Sequence, residues 1–322
     1  MDIKQLKEVV DKLFTDRMSY VMLLQEIAEN FYPERADFTI RRTHGNEFAA
    51  DLMSSYPVLT RRDLGDQLGS MLRPTEKDWF KMVPEDRDRE NNEANRWLER
   101  TAKVQRKAMY DRRAMFTRAT KEGDQDFAAF GQCAISCRLN KNADSLIYRN
   151  WHLRDIVWSE NEEGNVGLIG RKWKPAAREL VTLFPGKCHD KVVRCSEKDP
   201  FKKINCYHII CDADMYGDNA NGRPYWSIFY DCENQQILEA VAVWNKEYVI
   251  PRWQTVSGSQ YAYSPATITA LPDARLIQSM TYAILEAGEK AVNPPLVATQ
   301  DVVRSDVSIY AGGITWVDQE YD

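Results

Sequence analysis

Val249-Ile250-Pro251-Arg252-Trp253, Tyr261-Ala262-Tyr263-Ser264-Pro265, Leu271-Pro272-Asp273 and Glu289-Lys290-Ala291-Val292-Asn293-Pro294-Pro295 punctuate one stretch of this sequence. It reads as an extended run, a turn, then one long helix with a hard stop. Apolar residues recur three or four apart at Leu276, Met280, Ile284, Ala287 and Ala291, the period of a helix face. Pro272 suits a first helical turn, and Asp273 places an anion where the helix dipole is positive. Lys290 falls in the last turn, and Asn293-Pro294-Pro295 cannot continue it. From about Ala266 to Val292 the helix measures roughly 40 Å at ~1.5 Å per residue. Ala283, Ala287, Gly288 and Ala291 make it rich in small residues. Such a helix suits close packing in a ring of identical helices, or it is an ordinary core helix; the pattern allows both.

Upstream of this stretch the chain is β-rich. Gln132–Leu139, Leu146–Trp151 and Asp155–Trp158 read as strands, and Asn161-Glu162-Glu163-Gly164-Asn165 as a hairpin turn into Val166–Trp173. Lys174–Phe184 reads as a short helix. Ile204–Cys211 and Tyr225–Tyr230 form another pair, followed by Ile237–Val243 and Tyr248–Trp253. The first third is helical. Ile3, Leu6, Val10 and Leu13, then Met18, Met22 and Ile27, keep a helical period up to Phe31-Tyr32-Pro33. Residues 33–56 are polar, with Arg41-Arg42-Thr43-His44-Gly45-Asn46 as an exposed loop. A helix through Leu59, Leu64, Leu68 and Leu72 closes at Arg73-Pro74, and its Gly65 and Gly69 indicate close packing. After the charged segment Glu85–Asn95, Trp97, Thr101, Val104, Ala108 and Met115-Phe116 share one helix side, with an interruption expected at Gly123 before Phe127 and Phe130. The predicted class is α+β: N-terminal helices, a central antiparallel β-rich region, a long helix, and a short β segment.

Composition narrows the function. The 322 residues are 43% hydrophobic and 28% charged, which indicates a folded chain, and no apolar run approaches the ~20 residues of a membrane span. The helical, charged start Met1-Asp2-Ile3-Lys4-Gln5 is not a signal peptide, so an intracellular product is expected. A net charge of −5 argues against a general phosphate-binding surface. Arg106-Lys107, Arg112-Arg113 and Arg118 form the richest basic cluster. Read on one helix beside Asp111 and Glu122, they make a solvated face, or a stripe facing DNA or a partner. Seven cysteines, an odd number, suggest reduced thiols in a cytosolic compartment.

Three candidate sites need weighing. Cys188, Cys195, Cys206 and Cys211, with His189 and His208, are spaced more widely than structural zinc knuckles; half-buried thiols are the better reading. Asp212, Asp214, Asp218 and Asn219 begin like a calcium loop. Tyr216 and Arg223, however, stand where ligands are needed, so a hairpin connection is expected. The phosphate-loop, H-E-x-x-H and G-x-S-x-G patterns are absent, and none of the four histidines has a general-base partner in sequence. The residues give no catalytic, cofactor or metal assignment.

Taken in order, these pieces resemble the portal, or head-to-tail connector, proteins of short-tailed bacteriophages. The resemblance runs through Leu24–Pro33, Leu72-Arg73-Pro74 with Asp78-Trp79-Phe80, and Phe130-Gly131-Gln132-Cys133-Ala134. It continues through Asp155–Trp173 with Gly164 and Arg171, the block Arg252-Trp253, Tyr261–Pro265 and Leu271-Pro272-Asp273, then Glu289–Pro295 and Gly312-Gly313-Ile314. Ala262 and Tyr263 replace the family's usual Gly-Arg. The resemblance implies a wing-like α+β domain over 1–258 (helical 1–130, β-rich 131–258), a stem-like helix over 259–293, and the start of a clip-like segment over 294–322. Because the family pattern runs on past the position of Asp322, that segment is expected to be incomplete. It further implies a homo-oligomer, typically a twelve-subunit ring at the capsid portal vertex of a virion assembled in the host cytoplasm. Its implied partners are the major capsid protein, scaffolding protein, terminase large subunit and tail adaptor, with double-stranded DNA in transit, no membrane and no cofactor. Packaging and ejection of DNA would follow, without ATPase, nuclease or specific DNA binding. The rivals are another phage structural or adaptor protein, and a metal-dependent hydrolase using Asp212, Asp214 and Asp218 with His208.

Overall fold

A computed structural model describes residues 1–40, 52–74, 76–85, 91–217, 220–299 and 310–317. The expected loop Arg41–Asn46 with His44, residues Asp218 and Asn219, and most of the clip-like segment lie outside the described residues.

Helix α1 (Ile3–Asp16) begins with a reciprocal cap: the Asp2 carboxylate accepts from the backbone of the first turn, and Gln5 returns a bond to the Asp2 N–H at 3.0 Å. It ends at Arg17, and α2 (Met18–Phe31) follows at once. After a short turn at Pro33–Arg35 come α3 (Tyr56–Leu72), α4 (Asn92–Met109) and α5 (Phe116–Phe130). Strands β1 (Ala134–Leu139), β2 (Leu146–Trp151), β3 (Ile156–Glu160) and β4 (Val166–Trp173) lead to α6 (Ala177–Leu183) and α7 (Asp190–Lys198). Then follow β5 (Cys206–Asp212), β6 (Tyr225–Asp231), β7 (Gln236–Val243), β8 (Tyr248–Val249), β9 (Gln254–Thr255) and β10 (Ala262–Tyr263). The long helix α8 (Pro265–Val292) and a parallel pair, β11 (Leu296–Thr299) and β12 (Ile314–Val317), complete the described chain.

The centre is a five-stranded antiparallel sheet in the order β3-β4-β5-β6-β7. Side chains alternate between its faces with period two. Val157, Leu168, Tyr207, Ile209 and Ile228 face α1, packing against Ile3, Leu6, Val10 and Phe14. Gly170 permits this contact, since a Cβ there would stand 2.4 Å from Val10 Cγ1. On the other face Trp158, Ile169 and Ile210 join the main core with α2, α5 and the base of α8. Cys206, Phe229 and Leu238 hold a lobe made of α6 and α7. A full side chain such as Trp158 or Ile209 contributes about 1.5–3 kcal/mol when buried this way. The smaller sheet β2-β1-β8 lies beside α5.

The α+β class and the β meander agree with the sequence reading, and four details differ. First, α5 runs unbroken through Gly123, because a Cβ there would meet Ile135 Cδ1 at 2.8 Å; glycine serves packing, not a break. Second, the break comes earlier, between α4 and α5, where Met115 takes φ +56°. The basic cluster therefore spans two helices and a turn. Third, α3 buries Arg61 and Gly65 and exposes Leu59 and Leu72; the Arg61 guanidinium donates to Phe31 O at 3.0 Å and to Gln125. Fourth, Tyr248–Trp253 forms a strand only at Tyr248–Val249, with one further bridge between Gln132 and Arg252.

Candidate functional site

Helix α8 starts seven residues before Pro272. Ser264 is its N-cap and Pro265 its first residue, so Pro272 lies inside the helix and is not in its first turn. The base is fixed from both sides. Ser264 Oγ donates to Ala128 O at 2.7 Å, and Thr267 Oγ1 donates to Ala129 O at 2.7 Å, which ties α8 to the end of α5. Gly131 ends α5 at φ +72°, a left-handed conformation natural to glycine.

Motifs far apart in sequence meet here. The Gln132 side chain accepts from the Ala262 N–H at 2.9 Å and donates to the Tyr20 hydroxyl at 2.7 Å. Tyr20 in turn donates to Ala262 O at 2.8 Å. Burial pushes the Tyr20 hydroxyl pKa well above its ordinary value, with Tyr263 and Tyr261 adding to the effect, so it stays a neutral donor. Trp253 N–H donates to Gly131 O at 2.7 Å, and its ring stacks on Phe127 at 5.3 Å. The blocks Phe130–Gln132, Arg252-Trp253 and Tyr261–Pro265 therefore form one joint. Tyr20 and Phe127 complete it, and sequence reading missed their role because neither stands in a motif with the residues it touches.

Beyond the joint the helix projects from the described body. Only Thr267, Leu271 and Ala274 are buried. Arg275 pairs with Glu26, and the Gln278 side-chain carbonyl accepts from the N–H groups of Met53 and Ser54 at 2.7 and 2.8 Å. From Ser279 to Val292 every residue is exposed except the half-buried Thr281 and Lys290. Leu276, Ile284 and Val292 are 56%, 67% and 88% exposed. The apolar face at Leu276, Met280 and Ile284 is uncovered by the described residues, unlike the buried face at Leu271 and Ala274.

The other candidates are structural parts of the sheet and of the α6–α7 lobe. His208 is fully buried, stacked on Phe229 with ring centroids 4.0 Å apart. His189 caps α7, accepting from the Lys191 N–H at 3.1 Å. Cys188 Sγ contacts the carbonyls of Leu180 and Phe184, and all seven cysteines are unbridged. Asp212 ends β5 and accepts from Asn161 at 3.5 Å, and Asp214 lies in the β5–β6 connection. Among the described residues, no three His, Cys, Asp or Glu gather as a metal site, and no helix is long and apolar enough to cross a membrane. The basic cluster is largely neutralised locally: Arg106 pairs with Asp78, Arg113 with Asp111 and Asp144, and Arg118 with Glu122.

An α+β body that grips one end of a projecting helix defines an architectural protein, with the joint and the free helix as its working parts. Residues 3–322 match the family described as bacteriophage head to tail connecting protein, and the chain belongs to that structural family. It is 20% identical over 317 residues to a probable portal protein of Bordetella phage BPP-1, covering 95% of this chain and 56% of that protein. It is 24% identical over 102 residues to a portal protein of Salmonella phage epsilon15, covering 31% of this chain and 18% of the relative. The chain thus spans about half the length of the first of these relatives.

Proposed function

We propose that this chain is the subunit of a phage portal ring, through which DNA is packaged and ejected and to which a tail attaches. In this reading residues 1–258 are the wing, 259–293 the first stem helix, and 294–322 the start of the clip. One observation carries it: α8 is rigidly anchored at its base and uncovered along its outer half, with an apolar stripe at helical spacing. Copies standing side by side around a channel would cover that stripe. Residues 259–322 hold eight Asp and Glu against three Lys and Arg. Five of the eight acids lie beyond residue 293, and an acidic clip end repels the phosphate backbone and lets it slide.

The role is passive: no ATPase, nuclease or sequence-specific binding, in a homo-oligomer typically of twelve subunits at the virion's portal vertex. Assembly in the host cytoplasm, a separate terminase motor, capsid and scaffolding proteins and a tail adaptor complete the proposed setting. Electron microscopy and native mass spectrometry of the full chain test it. Closed rings of uniform subunit number are expected. A chain that stays monomeric at tens of micromolar, or that turns over ATP, would overturn the reading.

A further inference from the structure

The five-stranded sheet is electrically lopsided along its strands. Residues 171–203, which include the α6–α7 lobe, carry ten Lys and Arg against four Asp and Glu, in a chain of net charge −5. The loop after α7 is drawn against the start of α6: Ala177 N–H donates to Lys202 O at 2.9 Å and Arg178 N–H to Pro200 O at 3.1 Å. Arg178, Lys198, Lys202 and Lys203 are thereby gathered around Phe201, which is 77% exposed. Lys187 pairs with Glu239 at 3.1 Å, whereas those four cations pair with no carboxylate among the described residues. The lobe presents an aromatic knob flanked by cations, with Glu197 and Asp199 set among them.

The β3 edge of the same sheet, with its hairpin tip, presents the complement. Ile156 pairs with Arg171 at the lobe end, and Glu160 pairs with Val166 at the hairpin end, about 14 Å further along β3 at ~3.4 Å per residue. Along the β3 edge, from Arg17 at the Ile156 end to Glu160 at the hairpin end, runs a cavity of about 520 Å³ lined also by Leu13, Asp16, Ser259 and Tyr261. The hairpin tip adds the exposed Glu162 and Glu163. Arg252 pairs with Glu160, and Lys246 is turned to Val166 O, so Asp16, Glu162 and Glu163 are left facing outward. Arg17 on the cavity wall spends its guanidinium on the carbonyls of Leu153, Arg154 and Ile156 and forms no ion pair among the described residues.

We propose that the Phe201 knob of one copy of this chain seats in the β3-edge cavity of the next, with Lys198, Lys202 and Lys203 meeting Asp16, Glu162 and Glu163. The contact joins two different surfaces of identical chains, so it is heterologous and closes a ring when the rotation per copy divides a full turn. A buried aromatic anchor with a charged rim is the usual anatomy of such contacts. Nucleic acid is the weaker occupant. A phosphate backbone cannot desolvate Phe201, and Glu179, Glu197 and Asp199 interrupt the cations.

This contact rests on the ring reading, and the test separates the two. Three full-length variants are compared with the wild type by native mass spectrometry and sedimentation: K198E/K202E/K203E, E162K/E163K and F201S. All the changes are at exposed residues, and unchanged melting of each monomer confirms folding. Each variant alone is expected to assemble about tenfold or more weakly. Mixing the two charge-reversed chains is expected to restore assembly as an alternating species, because both knob–cavity pairings become complementary again. Raising salt from about 0.05 M to about 0.3 M weakens the wild-type assembly and leaves the F201S deficit in place. If the wild type assembles and ignores all three changes, the contact is wrong while the ring stands. If the wild type is monomeric throughout, the ring reading fails and takes the contact with it. If the lysine variant assembles normally but no longer retains a short DNA duplex, the patch belongs to nucleic acid and the contact is overturned.

Discussion

Gly131 lies so close to Tyr263 that a Cβ on residue 131 would stand 2.1 Å from the Tyr263 carbonyl carbon. The end of α5 and the strand leading into α8 are thus in backbone contact, held by the Trp253-to-Gly131 and Ser264-to-Ala128 hydrogen bonds. Gly131→Ala adds a left-handed φ penalty of about 1 kcal/mol and forces the two segments apart. A total loss of about 3 kcal/mol is expected in urea unfolding, with the α8 amides nearest the joint losing hydrogen-exchange protection. Wild-type stability in this variant would show that the joint yields and does not fix the helix.

Asp126 is the second anchor of α5. Its carboxylate, wholly buried, accepts two bonds from Arg35 at 3.0 and 2.6 Å and one from Asn150 at 2.7 Å. Burial opposes the Arg35 charge, and the Asp126 carboxylate more than offsets it, holding the guanidinium above its ordinary pKa. Asp126→Ala leaves the half-buried Arg35 cation and Asn150 without their partner, a loss of about 2–4 kcal/mol. Asp144→Ala, which removes an exposed partner of Arg113, is expected to leave the urea midpoint unchanged. Equal effects of the two would contradict this account.

Much of this fold was legible because its signals are local. Leu146–Trp151 and Val166–Trp173 carry strand alternation between turn residues, and both strands have the expected bounds. The joint under α8 was legible only as a set of separate motifs. Nothing in the spacing of Tyr20, Gln132 and Ala262 says that one hydroxyl and one amide connect them. Helix α7 was missed because His189, its cap, reads as a metal candidate when Cys188 and Cys195 stand nearby. Pro272 misled for a related reason: proline marks a first turn, but Ser264-Pro265 already supplied one, and the later proline is carried inside the helix. The uncovered outer half of α8 was beyond sequence reading, since a helix face looks the same whether its own chain or another covers it.

That outer half yields a sharp contrast. Leu276, Met280 and Ile284 are exposed, whereas Leu271, one turn earlier, is buried. Changing the first three to Gln is expected to alter monomer stability by no more than about 0.5 kcal/mol per site while abolishing assembly in native mass spectrometry. Leu271→Ala is expected to cost about 2–4 kcal/mol through cavity formation. If the triple variant unfolds as readily as Leu271→Ala, the stripe is core and the stem reading fails.

His208 makes stability depend on pH. The Tyr248 hydroxyl accepts from Arg171 Nε at 2.6 Å, so its own proton goes to His208 Nδ1 at 2.7 Å, leaving the Nε2–H to donate to Ser227 at 2.9 Å. This chain fixes the neutral imidazole. Burial above all, with Arg171 and Arg138 adding to it, holds the His208 pKa well below its ordinary value. The unfolded chain, in which a histidine titrates near ~6.5, therefore binds the proton more readily than the folded one. The His208 contribution is fully present above that pH and is lost on acidification, at up to about 1.4 kcal/mol per pH unit. His152, lowered by burial against the opposing pull of Asp37, acts in the same direction. Glu247, raised by burial, acts in the opposite one, so the comparison between proteins is the decisive measurement. Between pH 7.5 and pH 5, wild-type melting temperature is expected to fall more steeply than that of His208→Gln, whatever the variant's stability at neutral pH. Parallel curves would mean that His208 takes up its proton in the folded sheet as easily as in water.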